Sequence, residues 1–115
     1  MITLYGIKNC DTVKKARKWL DERNIDYTFH DFRVDGLDTE QVESWLSELG
    51  ADAVVNKRST TWKQLTESQK EQALSDDAAA LICENPTLIK RPLLDTGESR
   101  HLGFKADNYQ LWLQS

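Results

Sequence analysis

The chain has 115 residues, a net charge of −4 and a hydrophobic fraction of 39%, which is typical of one soluble globular domain that buries a core without disulfides or metals. The negative net charge argues against nucleic acid as a partner, and no apolar run approaches the roughly 20 residues of a membrane span. The N-terminus reaches a glycine after a short strand and has no signal-peptide core, so we expect a cytoplasmic protein whose two cysteines stay reduced.

The first third of the chain predicts a strand, a helix and a second strand. Residues 2–5 and 25–32 are rich in β-forming types. Between them, from Asp11, the apolar residues repeat with the period of a helix that ends near Asn24, a residue able to adopt a left-handed conformation. The apolar side of this helix holds Val13, Ala16, Trp19 and Leu20. A strand, a helix and a strand of this combined length predict two parallel strands.

The middle of the chain, about residues 38–84, predicts a helical insertion. Asp38 followed by Gln41 resembles a capping box, and the helix that follows carries an apolar stripe and stops at Gly50. The remaining segments are a predicted loop at 51–61, a helical region that begins at 62–65, a turn capped by Thr66 and Gln69 that leads to residues 73–74, and a short helix at 76–83.

The last quarter predicts strands and a final helix. Residues 87–90 and 92–95 have strand character, and a turn at 96–98 leads to a strand at 100–102, so the last two strands should form an antiparallel hairpin. Asp107 with Gln110 predicts the start of a last helix that continues through residue 113. The whole order predicts an α/β, thioredoxin-like fold with a mixed sheet and a central helical insertion, within a single domain of residues 1–115.

Cys10 stands where the first strand has ended and the first helix begins. A thiol there lies beside unpaired backbone N–H groups and the positive end of the helix dipole, which favour the thiolate. Positive charge collects nearby, since residues 1–33 hold seven Lys or Arg against five Asp or Glu. We therefore predict that Cys10 is reactive and that Lys8 and Asn9 help to bind an anionic substrate. The alternatives are that Cys10 is a small buried hydrophobic residue and that the basic residues form a solvated helix face.

The spacing of the cysteines limits what this thiol does. Thioredoxins and glutaredoxins carry C-x-x-C at this position, whereas Val13 stands in place of the second cysteine. A mixed disulfide on Cys10 must therefore be resolved by a thiol from elsewhere. Cys83 lies in an apolar helical stretch and is predicted to be an ordinary core or near-surface thiol.

Two arginines are candidates for binding an anion. Arg91 precedes Pro92, and Pro92 is itself a candidate for substrate binding, because a cis-proline in a thioredoxin-like fold faces the cysteine and exposes backbone groups that receive an extended substrate. A cis bond between the two residues would also direct Arg91 toward the thiol, where it could bind an anion and support the thiolate. An edge-strand proline with a solvated arginine is the alternative. Arg58 lies in a loop rich in hydroxyl residues that can surround an oxyanion. His30 and His101 have no metal-ligand spacing, so we expect no metal.

Four stretches together carry a family resemblance. They are YGIKNCDT at 5–12, NKRSTTW at 56–62, IKRPLL at 89–94 and LGF at 102–104. The chain thereby resembles the arsenate reductase-like (ArsC/Spx) family of thioredoxin-fold proteins, and within it the small YffB-type branch of glutathione-dependent thiol reductases. The resemblance implies that Cys10 is the nucleophile and that Arg58 and Arg91 match two of the three arginines around the oxyanion, with Arg91 preceding a cis-proline.

Two departures from the family pattern narrow the expected activity. Phe104 follows Gly103 where arsenate reductases carry the third arginine, and Val13 removes the redox pair of the Spx regulators, which bind RNA polymerase. The resemblance therefore favours a thiol reductase that uses Cys10 with glutathione or another thiol, with glutaredoxin as a further candidate partner and without a tightly bound cofactor. An arsenate reductase using glutathione or glutaredoxin, and a non-enzymatic Spx-like adaptor, are the alternatives.

Overall fold

A computed structural model describes residues 2–75 and 77–113. Within them, a mixed sheet has the strand order β2-β1-β3-β4. Its strands are β1 (Thr3–Gly6), β2 (Thr28–Asp31), β3 (Leu93–Asp95) and β4 (Arg100–Leu102). The chain divides into two compact units, a sheet unit of residues 1–35 and 91–115 and a helical unit of residues 36–90. The predicted helical insertion falls within the second unit, and the prediction of a thioredoxin-like α/β fold is confirmed.

The strand–helix–strand unit forms as predicted. Helix α1 spans Asp11–Glu22 and buries its predicted apolar side. Asn24 follows with φ of 56°, the left-handed conformation expected of a residue that ends a helix. Strands β1 and β2 are parallel, and β2 is shorter than the predicted 25–32 because it is paired only where it runs beside β1.

The predicted hairpin and last helix complete the sheet unit. Strands β3 and β4 pair in antiparallel register around a turn in which Gly97 has φ of 92°, and β3 also pairs antiparallel with β1. The last helix of the described chain spans Ala106–Leu113. The prediction that Asp107 caps this helix is wrong, because the helix begins one residue earlier and Asp107 lies in its first turn.

The core of the sheet unit lies between its sheet and two of its helices. Side chains of β1, β3, α1 and the last helix meet there, namely Leu4, Ala16, Trp19, Leu20, Leu94 and Tyr109. The Tyr109 ring meets Trp19 edge to face at 5.7 Å. Tyr109 is fully buried, and its hydroxyl has no hydrogen-bond partner among the described residues. Burial raises the pKa of this phenol well above its ordinary value.

Removing the Tyr109 hydroxyl should stabilise the protein. A buried hydroxyl without a partner costs about 1–3 kcal/mol of desolvation, and Tyr109→Phe keeps the ring in its aromatic packing. We expect the free energy of unfolding to rise by about 1 kcal/mol, measured by urea unfolding. Tyr27→Phe is the control, because the Tyr27 hydroxyl accepts a hydrogen bond from Arg17 Nε at 3.2 Å, so its removal should not stabilise. A stability loss in Tyr109→Phe would contradict the assignment.

The helical unit contains five α-helices among its described residues. They are α2 (Thr39–Leu49), α3 (Ala51–Val54), α4 (Thr60–Lys63), α5 (Glu67–Ala73) and α6 (Ala78–Glu84), so that Ala106–Leu113 is α7. Asp38 caps α2 by accepting from the Glu40 N–H, and Gly50 ends it. Thr66 and Gln69 form the predicted capping box of α5. Over the part of the chain that the structure describes, no helix has the length and apolarity needed to cross a membrane.

Three predictions in this unit need correction. Residues 51–61 are not one loop, because α3 forms within them and Ser59 caps α4. The helix predicted at 76–83 begins at Ala78, and Asp76 lies outside the described residues. The strand predicted at 87–90 is wrong: Pro86–Leu88 is a short 3₁₀ helix, and Ile89 makes only an isolated bridge to Val55.

Candidate active site

The loop between β1 and α1 presents Cys10. After Gly6 the chain makes a four-residue turn that the Cys10 N–H closes by donating to the Ile7 carbonyl at 3.2 Å. Lys8 and Asn9 form the exposed middle of this turn. Cys10 is then the N-cap of α1, with extended backbone angles (φ −93°, ψ 124°) and a half-buried side chain. The thiol therefore sits where the unpaired N–H groups of the helix point.

The surroundings of Cys10 favour its anion. Burial raises the pKa of the thiol, but the Val13 N–H, the Arg91 guanidinium and the Thr12 N–H lower it, and the net pKa lies below its ordinary value. A thiolate is the reactive form of cysteine in exchange reactions.

Arg91 lies just before the start of β3 and interacts with the Cys10 thiol. The Arg91–Pro92 bond is cis, Pro92 is buried, and the Arg91 side chain is half-buried beside Cys10. The Pro92 carbonyl accepts a hydrogen bond from the Gly103 N–H at 2.9 Å, which ties the residue before β3 to the residue after β4. The cis bond considered at the sequence level is present, and the structure brings Arg91 and Cys10 together.

Asp31 is a residue of this region that the sequence analysis missed. It ends β2 and its side chain is only 5% exposed. Its Oδ2 accepts from the Lys8 N–H at 3.1 Å and its Oδ1 from the Arg33 N–H at 2.8 Å. Burial raises the pKa of this carboxyl, but these N–H donors and the charge of Lys8 outweigh burial and lower it. The one sequence signal is its position, since Asp31 lies next to the last residue of the strand predicted at 25–32, whereas its burial and its backbone partners appear only in the fold.

Three other predicted site residues, Lys8, Asn9 and Arg58, have exposed side chains. Lys8 and Asn9 are exposed in the turn before Cys10, which suits contact with a ligand in solution. Arg58 belongs to the helical unit, where it is exposed and its N–H donates to Asn56 Oδ1 at 3.0 Å. Its role in anion binding stays a prediction.

Cys83 differs from Cys10 in its electrostatics. It lies in α6, and burial raises the pKa of its thiol. A hydrogen bond with the Thr39 side chain lowers that pKa, while the nearby carboxylates of Asp38 and Glu43 raise it, and the net pKa is above the ordinary value. Cys83 is thus the less reactive of the two thiols at neutral pH.

Phe104 occupies the place at which the resemblance locates a third arginine. Its ring meets Tyr109 edge to face at 4.7 Å and packs against the core cluster of the sheet unit. The residue therefore serves aromatic packing. The cation nearest in sequence is the exposed Lys105.

Two solved structures and a group of curated proteins are similar to this chain. The YffB protein is 44% identical with a TM-score of 0.90 and covers 96% of this chain and 97% of its own. An arsenate reductase (ArsC) related protein from Brucella melitensis is 38% identical with a TM-score of 0.77, covering 99% of this chain and 95% of its own. The global transcriptional regulator Spx of Streptococcus pyogenes is 30% identical over 98% of this chain and 85% of its own length.

A family comparison covers most of the chain. The sequence model of the ArsC family matches residues 5–111, a span that begins in β1, includes Cys10 and Arg91, and ends in α7. On this match, and on the similarity to the YffB protein, the chain belongs to the ArsC family.

Proposed function

We propose that this protein is a thiol-dependent oxidoreductase in which Cys10 is the nucleophile and glutathione is the reductant. The Cys10 thiolate attacks one sulfur of a bound disulfide R–S–S–R′, forming a Cys10–S–S–R bond and releasing R′ as a thiolate. A glutathione thiolate then attacks the sulfur of R, which forms an R–S–S–glutathione disulfide and returns the Cys10 thiolate. A second glutathione thiolate attacks this mixed disulfide, which releases R as a thiolate and forms glutathione disulfide, so two glutathione molecules supply the two electrons that the substrate gains and Cys10 returns to its starting state.

One observation carries this proposal: the Cys10 thiol lies at the N-terminus of α1 beside the Arg91 guanidinium, with its pKa lowered. Arg91 can also hold an anionic group of the substrate, because its guanidinium presents a fork of N–H donors that matches a carboxylate. Glutathione carries carboxylates, so its charge suits a site that contains Arg91 and exposed Lys8. In the proposal Asn9 adds a polar contact to the bound glutathione.

The absence of a cysteine at position 13 supports resolution by an outside thiol. Val13 is fully buried in α1, so the position three residues after Cys10 contributes to the core and holds no resolving thiol. A single-cysteine exchange in which a second molecule completes the reaction is the mechanism compatible with this arrangement. Glutathione is then a co-substrate and not a bound cofactor.

Replacing the two cysteines separately tests the proposal. Cys10→Ser should reduce disulfide turnover with glutathione to the uncatalysed rate, because a serine hydroxyl is not ionised at neutral pH. Cys83→Ser should retain turnover and is the matched control. After exposure to glutathione disulfide, mass mapping should find glutathione on Cys10 before Cys83. Unchanged turnover in Cys10→Ser, or earlier modification of Cys83, would contradict the assignment.

Arsenate reduction is a second candidate, favoured by the 38% identity to an arsenate reductase related protein. It would use the same Cys10 and Arg91 with arsenate as the electrophile. Phe104 weighs against it, because its packing on Tyr109 leaves no cation at that position. Conversion of arsenate to arsenite with glutathione and glutaredoxin, dependent on Cys10, would favour this candidate over general disulfide reduction.

An adaptor function is a third candidate, favoured by the 30% identity to Spx regulators. A regulator that senses oxidation through a local cysteine pair would need a second thiol, and Val13 is a core residue instead. Retention of RNA polymerase subunits on the immobilised protein, unchanged by Cys10→Ser, would favour the adaptor over the enzyme.

A further inference from the structure

Asp31 is a buried charge that the proposed reaction does not use directly. Within residues 2–75 and 77–113 it is the one charged side chain classed as buried, at 5% exposure. A buried carboxylate is unfavourable unless hydrogen bonds satisfy it. Backbone N–H groups do so, from Arg33 and Val34 in the turn after β2 and from Lys8 in the turn before Cys10. The carboxylate therefore connects the ends of two parallel strands.

We infer that Asp31 is a positioning residue for Cys10, acting through the backbone of Lys8; this inference rests on the proposed function of Cys10 as the nucleophile. Lys8 is the second residue of the turn that Cys10 closes. Fixing the Lys8 N–H at the end of β2 fixes the direction in which the chain enters α1. That direction determines how the Cys10 sulfur meets the Val13 and Thr12 N–H groups and Arg91.

The direction in which the pKa of Cys10 changes when Asp31 is neutralised distinguishes a positioning role from a direct effect of the Asp31 charge. A negative charge near a thiol disfavours the thiolate, so removing the charge of Asp31 would by itself lower the pKa of Cys10 or leave it unchanged. Loss of positioning has the opposite sign, because the thiolate then meets its donors less well. A rise in the pKa of Cys10 on neutralising Asp31 is therefore a result that charge removal cannot produce.

The first experiment measures the rate of Cys10 alkylation by iodoacetamide against pH, with Cys83→Ser as the background. In Asp31→Asn one of the two carboxylate oxygens is replaced by an NH₂ group, which cannot accept from a backbone N–H. We expect the rate at pH 7 to fall about threefold to tenfold, which corresponds to a rise of about 0.5 to 1 unit in the pKa of Cys10. Asp35→Asn is the control. The exposed Asp35 side chain accepts from the Asp31 N–H in the same turn, whereas the Lys8 N–H donates to Asp31, so the pH profile should not change.

The second experiment removes the backbone N–H of Lys8 and keeps Asp31. It also tests the inference if Asp31→Asn does not fold. Proline is favoured at the second position of such a turn and has no N–H. Lys8→Pro should therefore raise the pKa of Cys10 relative to Lys8→Ala, which loses the same side-chain charge and keeps the N–H. If both variants fold, combining Asp31→Asn with Lys8→Pro should raise the pKa little further, because each variant removes the same hydrogen bond.

Two outcomes would overturn the inference: an unchanged or lowered pKa of Cys10 in folded Asp31→Asn, or identical pH profiles for Lys8→Pro and Lys8→Ala. Circular dichroism and thermal unfolding establish that each variant is folded. The alkylation assay needs neither glutathione nor a disulfide substrate. The assay therefore tests whether Asp31 positions Cys10 even if the protein has no reductase activity. Failure of the proposed reductase function is thus distinguishable from failure of the proposed role of Asp31.

Discussion

Replacing Arg91 with methionine is expected to raise the pKa of the Cys10 thiol and to slow its alkylation at pH 7 by about tenfold, the change that one pKa unit produces. The Arg91 guanidinium both hydrogen-bonds the Cys10 sulfur and attracts its negative charge. Methionine keeps much of the length of the side chain and removes both effects. The alkylation rate should recover at high pH, where the thiol is ionised in either protein.

Arg91→Lys separates charge from geometry. Lysine restores a positive charge but not the planar fork of donors, so the pKa of Cys10 should lie between those of the parent protein and Arg91→Met. Arg100→Gln is the matched control, since it removes a positive charge from β4, where Arg100 Nε lies 3.8 Å from an Asp95 carboxylate oxygen. An Arg91→Met profile that coincides with the parent profile would show that the helix N-terminus alone lowers the pKa.

The same pKa difference links Cys10 to stability. The pKa of Cys10 is lower in the folded protein than its ordinary value of 9.0, so the folded state holds the proton less tightly than the unfolded chain. Ionisation of Cys10 therefore stabilises the fold, fully above the unfolded pKa, and this contribution is lost as the pH falls through the folded pKa. Comparing Cys10→Ser with the parent protein by urea unfolding across this range should show the parent gaining stability as the pH rises.

The first βαβ unit could be predicted because its signals are local. The apolar side of α1 and the left-handed Asn24 each follow from residue type and spacing, and both are present. The position of Cys10 at the N-terminus of α1 follows from these boundaries. The parallel pairing of β1 and β2 then follows from the length of the connection between them.

The error at 87–90 has a physical reason. Leu88 and Ile89 are fully buried, and a short buried apolar run looks the same in a strand as in other buried backbone. Pro86 begins a 3₁₀ helix, and Ile89 finds only one bridging partner, Val55. A strand forms only where a neighbouring strand takes up its backbone groups, and sequence spacing does not reveal that neighbour.

Asp31 was missed for a related reason. In the sequence it is one of several acidic residues in the first third of the chain, and its 5% exposure appears only in the fold. Its significance depends on a hydrogen bond to the Lys8 N–H, 23 positions away. Backbone partners carry no sequence signature, so a side chain that acts on the backbone is harder to predict than a nucleophile such as Cys10.

Adding a methyl group at Gly6 is expected to destabilise the sheet unit by about 1–3 kcal/mol, the usual effect of overpacking a core. A Cβ at Gly6 would lie 2.7 Å from Val13 Cγ2 and 3.3 Å from Val13 Cγ1. Val13 cannot easily move away, because a β-branched side chain in a helix has one preferred rotamer and Val13 is fully buried. Urea unfolding of Gly6→Ala measures the loss.

A double-mutant cycle shows whether this contact is the cause. Val13→Ala alone should be destabilising, since it deletes buried methyl groups, but it removes the two atoms that a Cβ at Gly6 would approach. Gly6→Ala should therefore be less destabilising in the Val13→Ala background than in the parent protein. Equal losses in both backgrounds would place the strain elsewhere. Gly6 is the last residue of β1, and Val13 lies in the first turn of α1. The contact between them therefore packs together the two elements on either side of Cys10.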